Sequence, residues 1–237
     1  MRAGNPKKVL SLICLNPNKF GSYEEFELLL ARRMTEEGYR HVKVFVAYPP
    51  PDLRENYEKT GCDMDFLPVI SNRMAYYQQA VTLFRKHRPD MIHLSYFPFL
   101  TPMVHVARLC GIRKVVFTDH SSGVPRRKRW GRSKAYSLCN KINSLRISHV
   151  IAVSNFVRDR LIQTAAVPEK RVTVVYNGVN TYRFSPGKPA GEDIPDLNLP
   201  EGRPLFTLVS HMIMEKGIME FLTAAETLIR AGSKATF

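Results

Sequence analysis

Long apolar runs are missing from this chain. No stretch of about 18 or more consecutive apolar residues occurs, which leaves no candidate for a membrane-spanning helix. The run Val9–Leu15 is short and ends in Asn16-Pro17, so a buried strand is expected there rather than a secretion signal. Cysteine is scarce: Cys14, Cys62, Cys110 and Cys139 include no pair at the short spacing of a zinc site, and the seven histidines do not gather near them. No metal is expected. Cys14 and Cys110 lie within apolar segments and read as buried, reduced thiols, which points to a reducing cytoplasm. Acidic residues are also short: 21 against 35 lysines and arginines, a net charge of +14. That excess calls for an acidic partner, whether phosphorylated ligand, anionic lipid surface or nucleic acid. Low-complexity sequence is absent, and a hydrophobic content of 44% is enough for a sizeable core.

What the sequence does contain is a regular alternation of strand and helix. Lys8–Leu15 is a nearly continuous apolar strand, as in a sheet covered on both faces. Tyr23–Glu37 has helical spacing, with Gly38 as its C-cap, and His41–Ala47 is a second strand. Pro49-Pro50-Pro51 is expected to break the chain. Strands follow at Asp65–Ile70, Met91–Tyr96, Lys114–Thr118, His149–Val153 and Arg171–Tyr176. Helices fall between them at Asn72–His87, Thr101–Cys110, Ser133–Ser148 and Asn155–Ala165, the last with Ser154 as N-cap. Seven strands alternating with helices predict an α/β, Rossmann-like, doubly wound parallel sheet.

The alternation stops at Asn177-Gly178. A segment punctuated by Pro186, Gly187, Pro189, Gly191, Pro195 and Pro200 follows, and a new strand (Leu205–Ser210) and helix (Gly217–Ala231) come after it. The expected organisation is a first domain over 1–177, a linker over 178–204, and the start of a second domain over 205–237. One strand–helix unit cannot bury its own core, so that second domain is expected to be incomplete.

Four passages resemble the retaining, nucleotide-sugar-dependent glycosyltransferases of family 4, the "group 1" family with its GT-B architecture. They are NPNKFGSYEEFELLLARRM, the phrase PDMIH over Pro89–His93, HVIAVSN over His149–Asn155, and VVYNGVNTYRFSP followed by Glu215-Lys216-Gly217. The last is the most specific, because two separate motifs occur in order. The resemblance implies the GT-B fold, a nucleotide-diphosphate sugar as donor substrate, and no cofactor.

It also implies roles for individual residues. Gly21 and Ser22 open the first helix, where backbone N–H groups favour a diphosphate by about 0.3–1 kcal/mol in exposed settings. Phe20 stands where the family commonly has a second glycine. His120 ends the strand KVVFTDH, at the edge where doubly wound sheets place ligands, and the resemblance puts it beside the transferred sugar as the catalytic residue. Asp119 reads as a turn or capping residue, and His93 is a weaker candidate at a neighbouring strand end. Lys216 matches the family's diphosphate-binding lysine, and His211 occupies the place of its arginine partner.

The run Arg126, Arg127, Lys128, Arg129, Trp130, Gly131 and Arg132 is expected to form a membrane or acceptor surface, since cations near an anionic leaflet contribute about 1 kcal/mol each. A nucleic-acid partner is not expected, because no nucleic-acid-binding motif accompanies the run. The resulting expectation is a cytoplasmic enzyme, peripheral at the inner face of the membrane. It would transfer a hexose with retention to a carbohydrate or lipid-linked acceptor, in glycan, glycolipid or envelope polysaccharide synthesis. The alternative is a non-catalytic, truncated remnant that at most binds an acceptor or an anionic membrane surface.

Overall fold

A computed structural model of the chain describes residues 7–18, 20–121, 133–186, 202–210, 212 and 214–237. These form two compact units, 1–180 and 181–237.

The first unit runs β1 (Lys8–Ile13), α1 (Ser22–Glu36), β2 (Arg40–Phe45), α2 (Pro51–Glu58), β3 (Asp63–Phe66), α3 (Arg73–His87) and β4 (Met91–Ser95). It continues with α4 (Met103–Leu109), β5 (Lys114–Asp119), α5 (Ser133–Arg146), β6 (His149–Ala152), α6 (Asn155–Ala165) and β7 (Val172–Val174). All seven strands are parallel, in the order β3-β2-β1-β4-β5-β6-β7. From β1 the chain winds outward to β3, then returns to place β4 on the other side of β1. The crevice at the carboxyl ends of β1 and β4 is therefore the switch point at which such sheets hold ligands.

Side chains alternate across the sheet, so each face has its own core. Leu10, Leu12, Val42, Val44, Ile92, Leu94, Val115 and Phe117 pack with residues of α3, α4 and α6, including Phe84, Met103 and Leu161. The opposite face joins Ile13 and Phe45 to Ala31 of α1 and to Leu53 and Tyr57 of α2. That second face also carries a polar row. In register, Lys43, Ser11 and His93 lie side by side on β2, β1 and β4. Lys43 forms a fully buried ion pair with Glu27 of α1, and Ser11 Oγ meets His41 Nε2 at 2.8 Å.

Local chemistry accounts for the helix ends. Asn72 and Ser154 each accept the backbone N–H of the third residue of the helix they cap, Ala75 and Val157. The triple proline does not simply break the chain. Pro51 starts α2, where its missing N–H costs nothing and its φ suits a helix.

In the second unit, the expected strand Leu205–Ser210 does not form. Leu205 makes an isolated bridge to Thr236, supported by Phe206 N donating to Thr236 O at 2.9 Å, and 206–210 has no ladder among the described residues. An apolar alternation becomes a strand only where another strand accepts its hydrogen bonds. A 3-10 turn, Met214–Lys216, leads into α7 (Ile218–Arg230). Ala225 is the buried residue of α7, whereas Met219, Leu222, Leu228 and Ile229 are exposed.

Candidate functional site

The carboxyl ends of β1, β4 and β5 deliver three aromatic rings to one place. Tyr23 comes from the first turn of α1, Tyr96 follows β4, and His120 follows β5. The imidazole of His120 stacks on Tyr96 with parallel planes and centroids 4.1 Å apart. Tyr23 stands edge-on to both, 4.7 Å from Tyr96 and 5.6 Å from His120. Rings so held have little freedom to turn, and such pairs contribute about 0.5–1.5 kcal/mol beyond their buried area.

Tyr96 also holds a backbone conformation that bulky residues rarely adopt, with φ of 63°. The other non-glycine residues at positive φ among those described are Arg88 and Ala166, the C-caps of α3 and α6, where that conformation is the ordinary helix ending. Tyr96 ends a strand. Its strain, of order 1–3 kcal/mol, is held at the switch point and not at a helix C-cap.

These residues line a groove of about 510 Å³. Ser22, Tyr23, Ser95, Tyr96, His120 and Asn177 supply polar groups of its lining along with His93. The floor runs along the sheet face over His93, Val116 and Ile151, with Phe26, Leu30 and Met34 of α1 as one wall. His120 Nε2 is buried in the groove lining without a hydrogen-bond partner among the described residues. Burial pushes His120 down to about 4, with the Asp119 carboxylate pulling the other way, so its ring is neutral at neutral pH. A neutral imidazole with a free ring nitrogen can hydrogen-bond a ligand without bringing a charge.

His93 is a second buried imidazole in the same groove. Its Nε2 lies 2.7 Å from Thr118 Oγ1, and burial, reinforced by Lys43, His41 and His120, lowers it to about 3. Asp119 is occupied elsewhere. Its Oδ1 accepts from Ser121 N and Oγ, and its Oδ2 receives Arg160 Nη2 at 2.7 Å, which fixes the turn that presents His120.

Gly21 is the N-cap of α1, with extended backbone and no capping side chain. The helix end carries carboxylates of its own, Glu24 and Glu25, in the first turn. A Cβ built on Gly21 would come within 3.2 Å of Glu24 Oε2, so the space beside Gly21 is already bordered by an acid. Ser22 lines the groove. Lys216 belongs to the second unit, at the end of its 3-10 turn. His211 and the run Arg126, Arg127, Lys128, Arg129, Trp130 and Arg132 lie outside the described residues. Of the sequence candidates, the groove brings together Ser22, His93 and His120, and its lining adds Tyr23 and Tyr96, which sequence reasoning does not single out. The strand-end rule that selects His120 applies equally to Tyr96, one residue past β4.

The model of Glycosyltransferase Family 4 matches residues 27–183, well over half of the sequence and nearly all of the first unit beyond β1. The chain belongs to Glycosyltransferase Family 4. As a family 4 glycosyltransferase chain of GT-B type, it also resembles solved structures at the level of fold. A glycosyltransferase from Rickettsia africae is 20% identical with a TM-score of 0.65, covering 95% of this chain and 58% of that one. Anabaena HepE in complex with UDP is 18% identical with a TM-score of 0.51, over 76% of this chain and 47% of that one. The S. aureus MnaA–UDP co-structure is 11% identical with a TM-score of 0.50, over 72% and 45%. The family 4 chain thus spans from under half to just under three-fifths of the length of these structures. No curated protein matches it.

Proposed function

We propose that this chain is the acceptor-side part of a glycosyltransferase that moves a hexose from a nucleotide-diphosphate sugar to a carbohydrate or lipid-linked acceptor, with retention. The observation that carries the reading is His120: a neutral imidazole, stacked on Tyr96 at the switch point, with Nε2 buried in a groove and unpartnered among the described residues. UDP bound to HepE and to MnaA, two proteins of similar fold, supports a uridine nucleotide as the donor's leaving group.

In this reading His120 donates a hydrogen bond to the sugar or to the departing phosphate as negative charge builds there. A donor fixed in advance loses nothing to reorganisation at that moment. The first backbone amides of α1, at Ser22 and beside Gly21, take part of the diphosphate; Lys216 and His211 are assigned to phosphate binding by their place in the sequence motif alone. Glu24 then limits how closely the phosphate approaches the helix end. The setting would be glycan, glycolipid or envelope polysaccharide synthesis at the cytoplasmic face of a membrane, with Arg126–Arg132 against anionic headgroups or the acceptor.

Calorimetric titration of the chain with UDP, UDP-sugars and GDP-sugars tests the donor side. Saturable binding that is lost in His120→Ala while the fold persists is the expected result. No binding to any nucleotide sugar would instead favour a non-catalytic acceptor- or membrane-binding chain.

A further inference from the structure

Helix α5 is packed inside out. Its buried positions are polar: Asn140, Asn143 and Ser144 are 3%, 2% and 1% exposed. Asn143 Nδ2 donates to the carbonyl of Phe99, and Ser144 Oγ donates to Lys141 O at 2.8 Å and Ala166 O at 3.3 Å. Three outward positions are large and apolar: Leu138, Ile142 and Leu145 are 59%, 45% and 59% exposed. Their spacing of four and three residues puts them in one stripe along the helix. A soluble helix normally shows the reverse arrangement, so this face is built to be covered.

The surroundings indicate by what. Lys141 and Arg146 sit on the same helix among the apolar residues, and both are exposed. At the helix's C-terminal end, Arg108 Nε donates to Arg146 O at 2.8 Å, which brings the end of α4 alongside, with Leu109 at 88% exposure. Exposed Arg113 and Lys114 follow in the same turn region. Burial lowers the Arg108 pKa, and the like charges of Arg146 and Arg171 lower it further, a sign of how closely the cations gather. Among the described residues, none of Lys141, Arg146, Arg113 or Lys114 pairs with a carboxylate. The sequence immediately before α5 adds the five cations and Trp130 of the run Arg126–Arg132.

An apolar stripe framed by unpaired cations matches the two layers of an anionic bilayer surface, acyl boundary and headgroup. We propose that α5 lies in the interface of an anionic lipid membrane, with Leu138, Ile142 and Leu145 inserted and Lys141 and Arg146 at headgroup level. This locates the membrane contact of the proposed function on a defined helix. It does not depend on sugar transfer, so its failure leaves the nucleotide titration unaffected.

Sedimentation of the chain with phosphatidylcholine vesicles, with and without phosphatidylglycerol, tests it. The chain should bind the anionic vesicles at least about tenfold better than the neutral ones, less so at high salt. Leu138→Ser/Ile142→Ser/Leu145→Ser should lose about tenfold or more of that binding with circular dichroism unchanged. If the triple variant misfolds, Ile142→Ser alone should still show a severalfold loss. Lys141→Ser/Arg146→Ser should weaken binding at low ionic strength. Undiminished vesicle binding by the serine variants would overturn the proposal, as would equal binding to neutral vesicles. It would also be overturned by a concentration-dependent dimer that the triple variant abolishes, since the stripe would then belong to a second copy.

Discussion

Replacing Lys43 by methionine should unfold this protein far more readily than any surface change. Lys43 and Glu27 are 0% and 1% exposed and meet directly between β2 and α1. Burial lowers the Lys43 pKa, so its charge depends on the carboxylate facing it. Glu27 Oε1 has no hydrogen-bond partner among the described residues, so the acid depends on the lysine for its neutralisation. An uncompensated buried charge costs about 3–5 kcal/mol, against about 0–1 kcal/mol for an exposed pair. For a chain of this size the loss corresponds to a drop in Tm of roughly 6–20 °C. The double variant Glu27→Leu/Lys43→Met removes both charges and should recover wild-type stability or exceed it by about 1–4 kcal/mol. Urea unfolding of wild type, both single variants and the double variant gives the full cycle. If Lys43→Met costs less than about 1 kcal/mol, the pair is not buried and the packing of α1 on this sheet face is wrong. The consequence extends to the groove, because Glu27 lies one turn beyond Tyr23 on the helix that presents it.

Three further outcomes are expected. The pKa of His93 is lowered to about 3, so between that value and about 6.5 the unfolded chain binds a proton that the folded chain does not. Stability is therefore full above about pH 6.5 and falls on acidification, by roughly 2 kcal/mol at pH 5 for this residue alone, and His93→Gln should flatten that slope in urea titrations. Ser154→Ala removes the oxygen that accepts Val157 N and should cost about 1 kcal/mol in the same assay. Tyr96→Ala keeps the strained φ and loses the stack on His120, so it should destabilise and broaden the His120 ring resonances, whereas Tyr96→Phe should leave them sharp.

Much of the first unit is legible in the sequence because a parallel sheet buried on both faces imposes its pattern on every strand. KVLSLI, MIHLS and HVIA stand out as apolar runs between helical periods; the third strand, expected at Asp65–Ile70, runs instead over Asp63–Phe66, where it finds β2 as partner. Features decided by partners are not. LFTLVS alternates like a strand, yet only Leu205 finds a bridge, at Thr236. Pro51 reads as a breaker, because proline's place at a helix start depends on the residues after it. At the site, a strand-end rule picks out His120, but the positive φ of Tyr96 has no compositional signal in a residue with a Cβ. Helical spacing locates α5, and its apolar stripe points the wrong way for finding its buried side. Only contacts such as Asn143 with Phe99 O reveal that the polar face is inside.

The central claim, that His120 meets the donor in the groove, is tested most directly by nitrogen NMR of the histidine rings while UDP or a UDP-sugar is added. The ring nitrogens of His120, assigned by their loss in His120→Ala, should shift and Nε2 should gain a hydrogen-bond partner, at a pH where the ring stays neutral. Saturable nucleotide binding that leaves the His120 resonances where they were would contradict the account.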